Sequence, residues 1–227
     1  MSFQKFKSFI KNFVGAKIFS RCSFAQEGED LVVDRLLEGK RGGFYIEVGC
    51  HHPFRFSNTY YFYRRGWRGI CIDPLPGTKE LFARSRKRDI VIEKGISLNP
   101  GELRYFMFNE PALNTFDEAL AISRDGLRDY KLECFIDIET QSLESILLQQ
   151  NISEAIDFMS VDVEGFDLQV LQSNNWSKFR PKVIIAEALD SDLNSISLDP
   201  ISIFLSGVGY RPYAKTGNSV IYKEVTN

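Results

Sequence analysis

Apolar and polar positions along this chain switch repeatedly between a helical period and short continuous apolar runs, which predicts alternating helices and buried strands. Residues 29–37 repeat apolar positions on one helical face and stop at Gly39, a C-terminal cap, before the apolar run 44–48. Ser57 is placed to cap a helix holding Tyr60, Tyr61 and Tyr63 that ends near Gly66, and 69–72 reads as a second strand. A helix over 78–88 and a third strand over 90–92 follow. After an irregular stretch come a helix over 142–148, strands over 156–163 and 183–188, and a helix over 167–172. Pro200 opens a last helix, and 210–214 and 220–222 can pair as a hairpin through Thr216, Gly217 and Asn218. The stretch 99–135, with one short aromatic strand at 104–108 and a polar run near 109–125, reads as an inserted flap or substrate loop. Strand and helix signals in this order predict an α/β fold with a mostly parallel sheet and helices on both faces.

With 227 residues and 44% hydrophobic content, the chain can bury one substantial core, and residues 23–227 are expected to form one domain. Residues 1–22 stand apart. They carry Lys5, Lys7, Lys11, Lys17 and Arg21 with no acid before Glu27, and they place Phe3, Phe6, Ile10, Phe13, Val14 and Ile18 at helical spacing. This is a basic amphipathic helix suited to packing on its own domain, to homo-oligomer contact, or to peripheral docking on a membrane surface. No apolar run there approaches the roughly 20 residues that cross a bilayer. The net charge of −2 gives no global basic surface, so no nucleic-acid partner is expected. Cys22, Cys50, Cys71 and Cys134 form no CxxC pair, which fits a reducing, cytoplasmic setting. The sequons at Asn151 and Asn175 read as chance occurrences.

The chemistry is written at strand ends. Asp162 and Glu164 close an apolar run just before Gly165, and ionised acids are rarely put at a buried strand's end unless a ligand, cation or proton transfer offsets their desolvation. Glu47 and Gly49 close the first strand. Gly49 lets the backbone turn sharply, and Glu47 can accept from an ammonium-bearing group. Cys50, His51, His52 and Pro53 follow where a dinucleotide site would need G-x-G-x-x-G, which argues against NAD. Asp73, before Pro74 at the second strand's end, is placed to accept ribose hydroxyls. Without a ligand, Glu47 is equally a salt-bridged strand-end acid, Gly49 an ordinary turn and Asp73 a cap.

Together, the segments 44–49, 69–74 and 161–165 resemble the FkbM family of S-adenosylmethionine-dependent methyltransferases, over about residues 23–222. The resemblance implies a Rossmann-like class I methyltransferase fold with a seven-stranded, mostly parallel sheet. It also implies S-adenosylmethionine as cofactor, bound by Glu47, Gly49, Cys50, Asp73 and Pro74, with Gln26 and Asn58 carried over from the 24–30 and 57–59 stretches. Ile96, after the third strand, is the apolar contact expected beside the adenine. The acceptors it implies are hydroxyls of sugars, glycans or small metabolites, in surface-polysaccharide or natural-product biosynthesis.

Methyl transfer to an alcohol needs a base or a cation that lowers the acceptor's pKa. Asp162, Glu164, His51 and His52 are the catalytic candidates, and Asp162, Glu164 and Glu187 form an oxygen-rich set suited to Mg²⁺ or Mn²⁺. The alternative for these acids needs no metal: Asp162 binds the cofactor or a loop, Glu164 caps the helix beginning near Phe166 and Glu187 is a lone strand-end acid. The histidine pair can equally shape a loop before Pro53, and Tyr60, Tyr61, Phe62 and Tyr63 fit a core as well as a sugar platform. Other functions considered are N-methylation of a small metabolite, a nucleotide-sugar or NAD oxidoreductase, and a non-catalytic docking module.

Overall fold

The computed structural model describes residues 20–189 and 191–225. The amphipathic segment 1–22 lies almost wholly outside the described residues. Among the described residues, no helix is long and apolar enough to cross a membrane.

The elements in chain order are α1 (Glu29–Leu36), β1 (Phe44–Val48), α2 (Tyr60–Tyr63), β2 (Arg68–Ile72), α3 (Thr78–Ala83), β3 (Ile90–Ile92), β4 (Gly95–Ile96) and β5 (Gly101–Phe108). They continue with α4 (Glu118–Arg124), β6 (Leu132–Gln141), α5 (Leu143–Gln149), β7 (Phe158–Val161), α6 (Asp167–Gln172), β8 (Val183–Glu187), α7 (Pro200–Gly207), β9 (Tyr210–Lys215) and β10 (Ser219–Glu224). Seven strands form one sheet in the order β3-β2-β1-β7-β8-β10-β9. The pairs from β3 to β8 are parallel, and β10 runs antiparallel to both neighbours. This is the Rossmann-like class I methyltransferase arrangement.

Alternation along the strands divides the core between two helical layers. Ile46, Val48, Ile70, Ile72, Met159 and Val161 face the layer of α5, α6 and α7. Tyr45, Cys71, Phe158 and Ile185 face the other layer, with Val33, Phe62, Trp67 and Phe82. Register then fixes the site. Val48 pairs with Ile72 and with Val161, and Val161 pairs with Ala186. The next residue on each strand, Gly49, Asp73, Asp162 and Glu187, therefore falls in one row at the C-terminal edge, on either side of where the sheet's order reverses.

Three expectations are corrected. The 99–135 stretch is not a loop: β5 pairs along its length with β6, and β4 joins β6 to make a second, three-stranded sheet. Its pairing partner lies some 30 positions away by the register, and much of β6 is solvent-exposed, so no continuous apolar run announced it. The helix expected over 78–88 stops at Ala83, because Arg86 turns inward to a buried site. The strand expected over 156–163 shrinks to Phe158–Val161. Beyond it Glu164 and Gly165 take left-handed backbone angles, φ 52° and 96°, which no strand can continue.

Candidate active site

At the end of β1, Gly49 has φ 81°, and a Cβ there would lie 1.7 Å from the carbonyl oxygen of Asp162. Only glycine lets the turns after β1 and β7 pass this closely. The two turns enclose a cleft of about 510 Å³, lined among others by Gly49, His51, Asp73, Pro74, Ile96 and Asp162. Asp73 is buried, and its carboxylate accepts from the backbone N–H of His51 at 2.8 Å and of Leu75 at 2.9 Å. Burial pushes its pKa up to about 6 despite those two donors.

The second sheet closes the cleft from above. Tyr105 of β5, with Asn114 and Phe116 from the following turn, lines it, and Phe116 stacks between Tyr105 at 4.8 Å and Phe166 at 5.7 Å. The insertion is also tied to the acids. Thr115 Oγ1 donates to the Glu164 carbonyl at 2.7 Å, and Arg124 Nη2 of α4 pairs with Glu164 Oε2 at 2.5 Å.

Asp162, Glu164 and Glu187 each offer a carboxylate oxygen within 4.8 Å of the other two. Burial, then the neighbouring carboxylates Glu164 and Asp167, raises Asp162 well above the usual carboxylate range. Glu187 is raised by burial and then by Asp162 and Glu164, and Glu164 by burial, with Arg124 pulling the other way. One guanidinium thus faces three mutually repelling acids. Beyond them opens a second cleft of about 1200 Å³, bounded by the start of α6, the loop after β8 and α7, with Glu187 and Asp167 in its wall. The acids form the partition between the two spaces: Asp162 and Glu164 line the first, Glu187 the second.

The other candidates separate. Glu47 lines neither cleft. It lies beneath α2 and α3, where it accepts from Thr59 Oγ1 at 2.5 Å and Ser57 Oγ at 3.3 Å and pairs with Arg86 at 3.6 Å. Its pKa is raised by burial, with Arg86 opposing. Asn58, also buried, donates to Ser160 Oγ at 2.9 Å. Cys50 is buried, Gln26 is exposed, and neither lines a cleft. His51 lines the first cleft with a partnerless Nε2, and burial and then Arg55 lower its pKa, keeping it neutral at pH 7. His52 lines neither cleft and spends Nδ1 on the N–H groups of Phe54 at 3.2 Å and Arg55 at 3.0 Å, the loop-shaping role.

Sequence reasoning missed Arg86, Asn114, Phe116, Arg124 and Asp167. Only Asp167 carried a signal, an acid close behind Glu164 and Gly165. Arg86, Asn114 and Phe116 sit in irregular stretches, and Arg124 ends α4 some 40 positions before its partner Glu164.

A family model described as the methyltransferase FkbM domain matches residues 47–212. No curated protein matches the chain. Similar solved structures include a Burkholderia thailandensis 1,6-didemethyltoxoflavin-N1-methyltransferase with bound 1,6-didemethyltoxoflavin and S-adenosylhomocysteine (11% identity, TM-score 0.46, covering 100% of this chain and 92% of that one). Another is a Bacillus cereus O-methyltransferase in complex with S-adenosylhomocysteine (13%, TM-score 0.45, 96% and 90%). A third is a TehB-like methyltransferase from Corynebacterium glutamicum (9%, TM-score 0.43, 96% and 97%).

Proposed function

The chain belongs to the FkbM family of S-adenosylmethionine-dependent methyltransferases, and from that premise we propose that it methylates a hydroxyl oxygen of a sugar, glycan or small metabolite, with Asp162 as the base. The observation that carries this reading is the row Gly49, Asp73, Asp162 and Glu187, which joins a cleft suited to a nucleoside to an open acceptor groove across a cluster of acids.

Bound in the first cleft, S-adenosylmethionine would present a sulfonium methyl to in-line attack by the acceptor oxygen, the C–S bond breaking to leave adenosylhomocysteine. Asp73 is the acceptor for ribose hydroxyls, and Pro74 and Ile96 offer apolar contact to the base. Asp162 takes the hydroxyl proton. Its raised proton affinity suits it to that task better than an ordinary carboxylate. Phe116, Phe166 and Tyr105 exclude water from the reacting end.

The trio Asp162, Glu164 and Glu187 has the spacing and the hard oxygen donors that Mg²⁺ or Mn²⁺ prefers, and lacks its own counter-charge beyond Arg124. A divalent cation held there would lower the pKa of the acceptor hydroxyl. Calorimetric titration with adenosylhomocysteine, followed by a mass-spectrometric screen of hydroxylated acceptors for methyl gain, tests the assignment. No affinity for adenosylhomocysteine in the folded protein would reject it. Activity lost with EDTA and restored with Mg²⁺ or Mn²⁺ supports the cation; indifference to EDTA removes it.

A further inference from the structure

The second cleft has a one-sided charge. Its described lining residues include Asp117, Asp167, Glu187 and Asp199, with no lysine, arginine or histidine. Two of these acids have structural duties. Asp117 caps α4 by accepting from Leu120 N at 2.9 Å, and Asp199 caps α7 and accepts from Ser191 Oγ at 2.6 Å. Capping satisfies hydrogen bonds and leaves the negative charge in place.

Asp167 is different. It is only 4% exposed; its Oδ2 accepts from Gly165 N at 3.3 Å and the backbone N–H groups of Val163 and Asp167 itself also lie close to the carboxylate, but Oδ1 makes no hydrogen bond of ordinary geometry. A buried carboxylate oxygen without a donor is costly, and such a group in a cleft wall is normally completed by what the cleft binds. Arg124, the cation paired with this group of acids among the described residues, is already committed to Glu164. The missing partner must bring both a donor and positive charge.

We propose that this groove takes the methyl acceptor and selects one that carries a protonated amine, held on Asp167 Oδ1. This inference rests on the methyltransferase reading and narrows its acceptor class. An ammonium N–H makes a charge-assisted hydrogen bond to the orphan oxygen and is favoured by the nearby carboxylates of Asp117 and Asp199, whereas Glu187, pushed up to about 10 by burial and then by Asp162 and Glu164, holds its proton near neutral pH. A neutral polyol could fill the hydrogen bond and leave the charge unmatched. A phosphate- or carboxylate-bearing acceptor, including a nucleoside-diphosphate sugar, meets like charge from the acids of the wall and has Ser191 and Ser195 as the neutral polar side chains of the lining. Leu120, Leu168, Leu198 and Ile201 give the apolar surface for the acceptor's carbon skeleton. A protonated amine has no lone pair to accept a methyl, so its anchoring role leaves a neighbouring hydroxyl as the nucleophile.

The test uses the full chain saturated with adenosylhomocysteine, titrated by calorimetry at pH 7.5 with glucosamine, glucose and glucuronic acid, one ring differing mainly in its charge. Glucosamine is expected to bind at least about tenfold tighter than glucose, the ratio one charge-assisted contact of about 1.4 kcal/mol gives, and glucuronic acid not to bind. Asp167→Asn should bring glucosamine down to the level of glucose while leaving adenosylhomocysteine affinity intact. The charge series on the unaltered chain decides the matter even where that variant folds poorly. Equal binding of the three sugars, tighter binding of glucuronic acid, or no binding of glucosamine overturns the proposal. Failure of adenosylhomocysteine to bind in the first step would instead sink the methyltransferase reading, and this inference with it.

Discussion

Two groups of buried acids sit at neighbouring strand ends of the same sheet, and they are compensated in opposite ways. Beside β1 and β2, Glu47 and Asp89 surround Arg86, which is fully buried and donates Nε to Asp89 at 2.7 Å and Nη2 to Thr59 at 2.6 Å and Tyr45 at 3.0 Å. Its Nη1 reaches Ser57 at 3.2 Å, which fixes the loop leading to Asn58. Beside β7 and β8, Asp162, Glu164, Asp167 and Glu187 crowd together, and among the described residues Arg124 is the cation that pairs with one of them, Glu164, and acts on Glu187. Charge left unmatched inside the protein marks where something else must bind, whereas matched charge marks where the chain holds itself. The first group is internal scaffolding behind the first cleft. The second is the part of the edge open to chemistry.

The sharpest way to break this contrast is to remove one charge from each group and read function and stability separately. Asp162→Asn keeps the shape and should lower kcat by about 100-fold or more, the usual contribution of a general base, with adenosylhomocysteine affinity intact by calorimetry. Near-normal turnover would take Asp162 out of the mechanism. The converse substitution, Arg86→Met, leaves Glu47 and Asp89 buried without their cation. It should destabilise the fold by about 3–5 kcal/mol in urea unfolding, and a loss under about 1 kcal/mol would mean that the group is not the scaffold its geometry suggests.

A smaller effect is expected where the two clusters flank the cofactor cleft. Asp73→Ala should weaken adenosylhomocysteine binding by about 1.5–3 kcal/mol, the loss of hydrogen bonds to a charged acceptor. Unchanged affinity in the folded variant would reject the ribose role.

The smallest effect concerns pH. Burial raises Asp167 to about 7 and Asp73 to about 6 in the folded chain, above unfolded values of about 3.9. The folded state therefore holds these protons more tightly than the unfolded state. The stability they contribute is complete below about pH 4 and is lost as pH rises through about 6 and 7. Asp167→Asn should consequently gain stability relative to the parent chain on going from pH 5 to pH 8, measured by paired urea titrations. A difference independent of pH would show that Asp167 is not carrying uncompensated charge in the fold.

Much of this was legible in the chain itself. Short continuous apolar runs gave β1, β2 and β8 almost residue for residue, because a strand buried on both faces needs apolar side chains at nearly every position; the edge strand β3 was found by the same signal although it is partly exposed. The sharp turns at Gly49 and Gly165, and the acids beside them, announced the C-terminal edge, because ionisable groups and glycines at strand ends interrupt an otherwise apolar pattern. What the sequence by itself determined is thus the α/β alternation, the class of the fold and the sheet edge at which the glycine turns and acids gather. The tertiary structure alone decided which acids are free. Glu47 and Asp162 look alike in sequence, each ending an apolar run; they differ because Arg86 arrives 39 positions beyond Glu47 by count along the chain, whereas among the described residues the cation that reaches the Asp162 side, Arg124, is paired with Glu164. Of the second sheet that roofs the first cleft only the 104–108 part of β5 was legible, since much of β6 is exposed and the two strands join across a long separation. Local pattern records which positions are buried, but compensation of a buried charge depends on a partner brought by the fold from elsewhere.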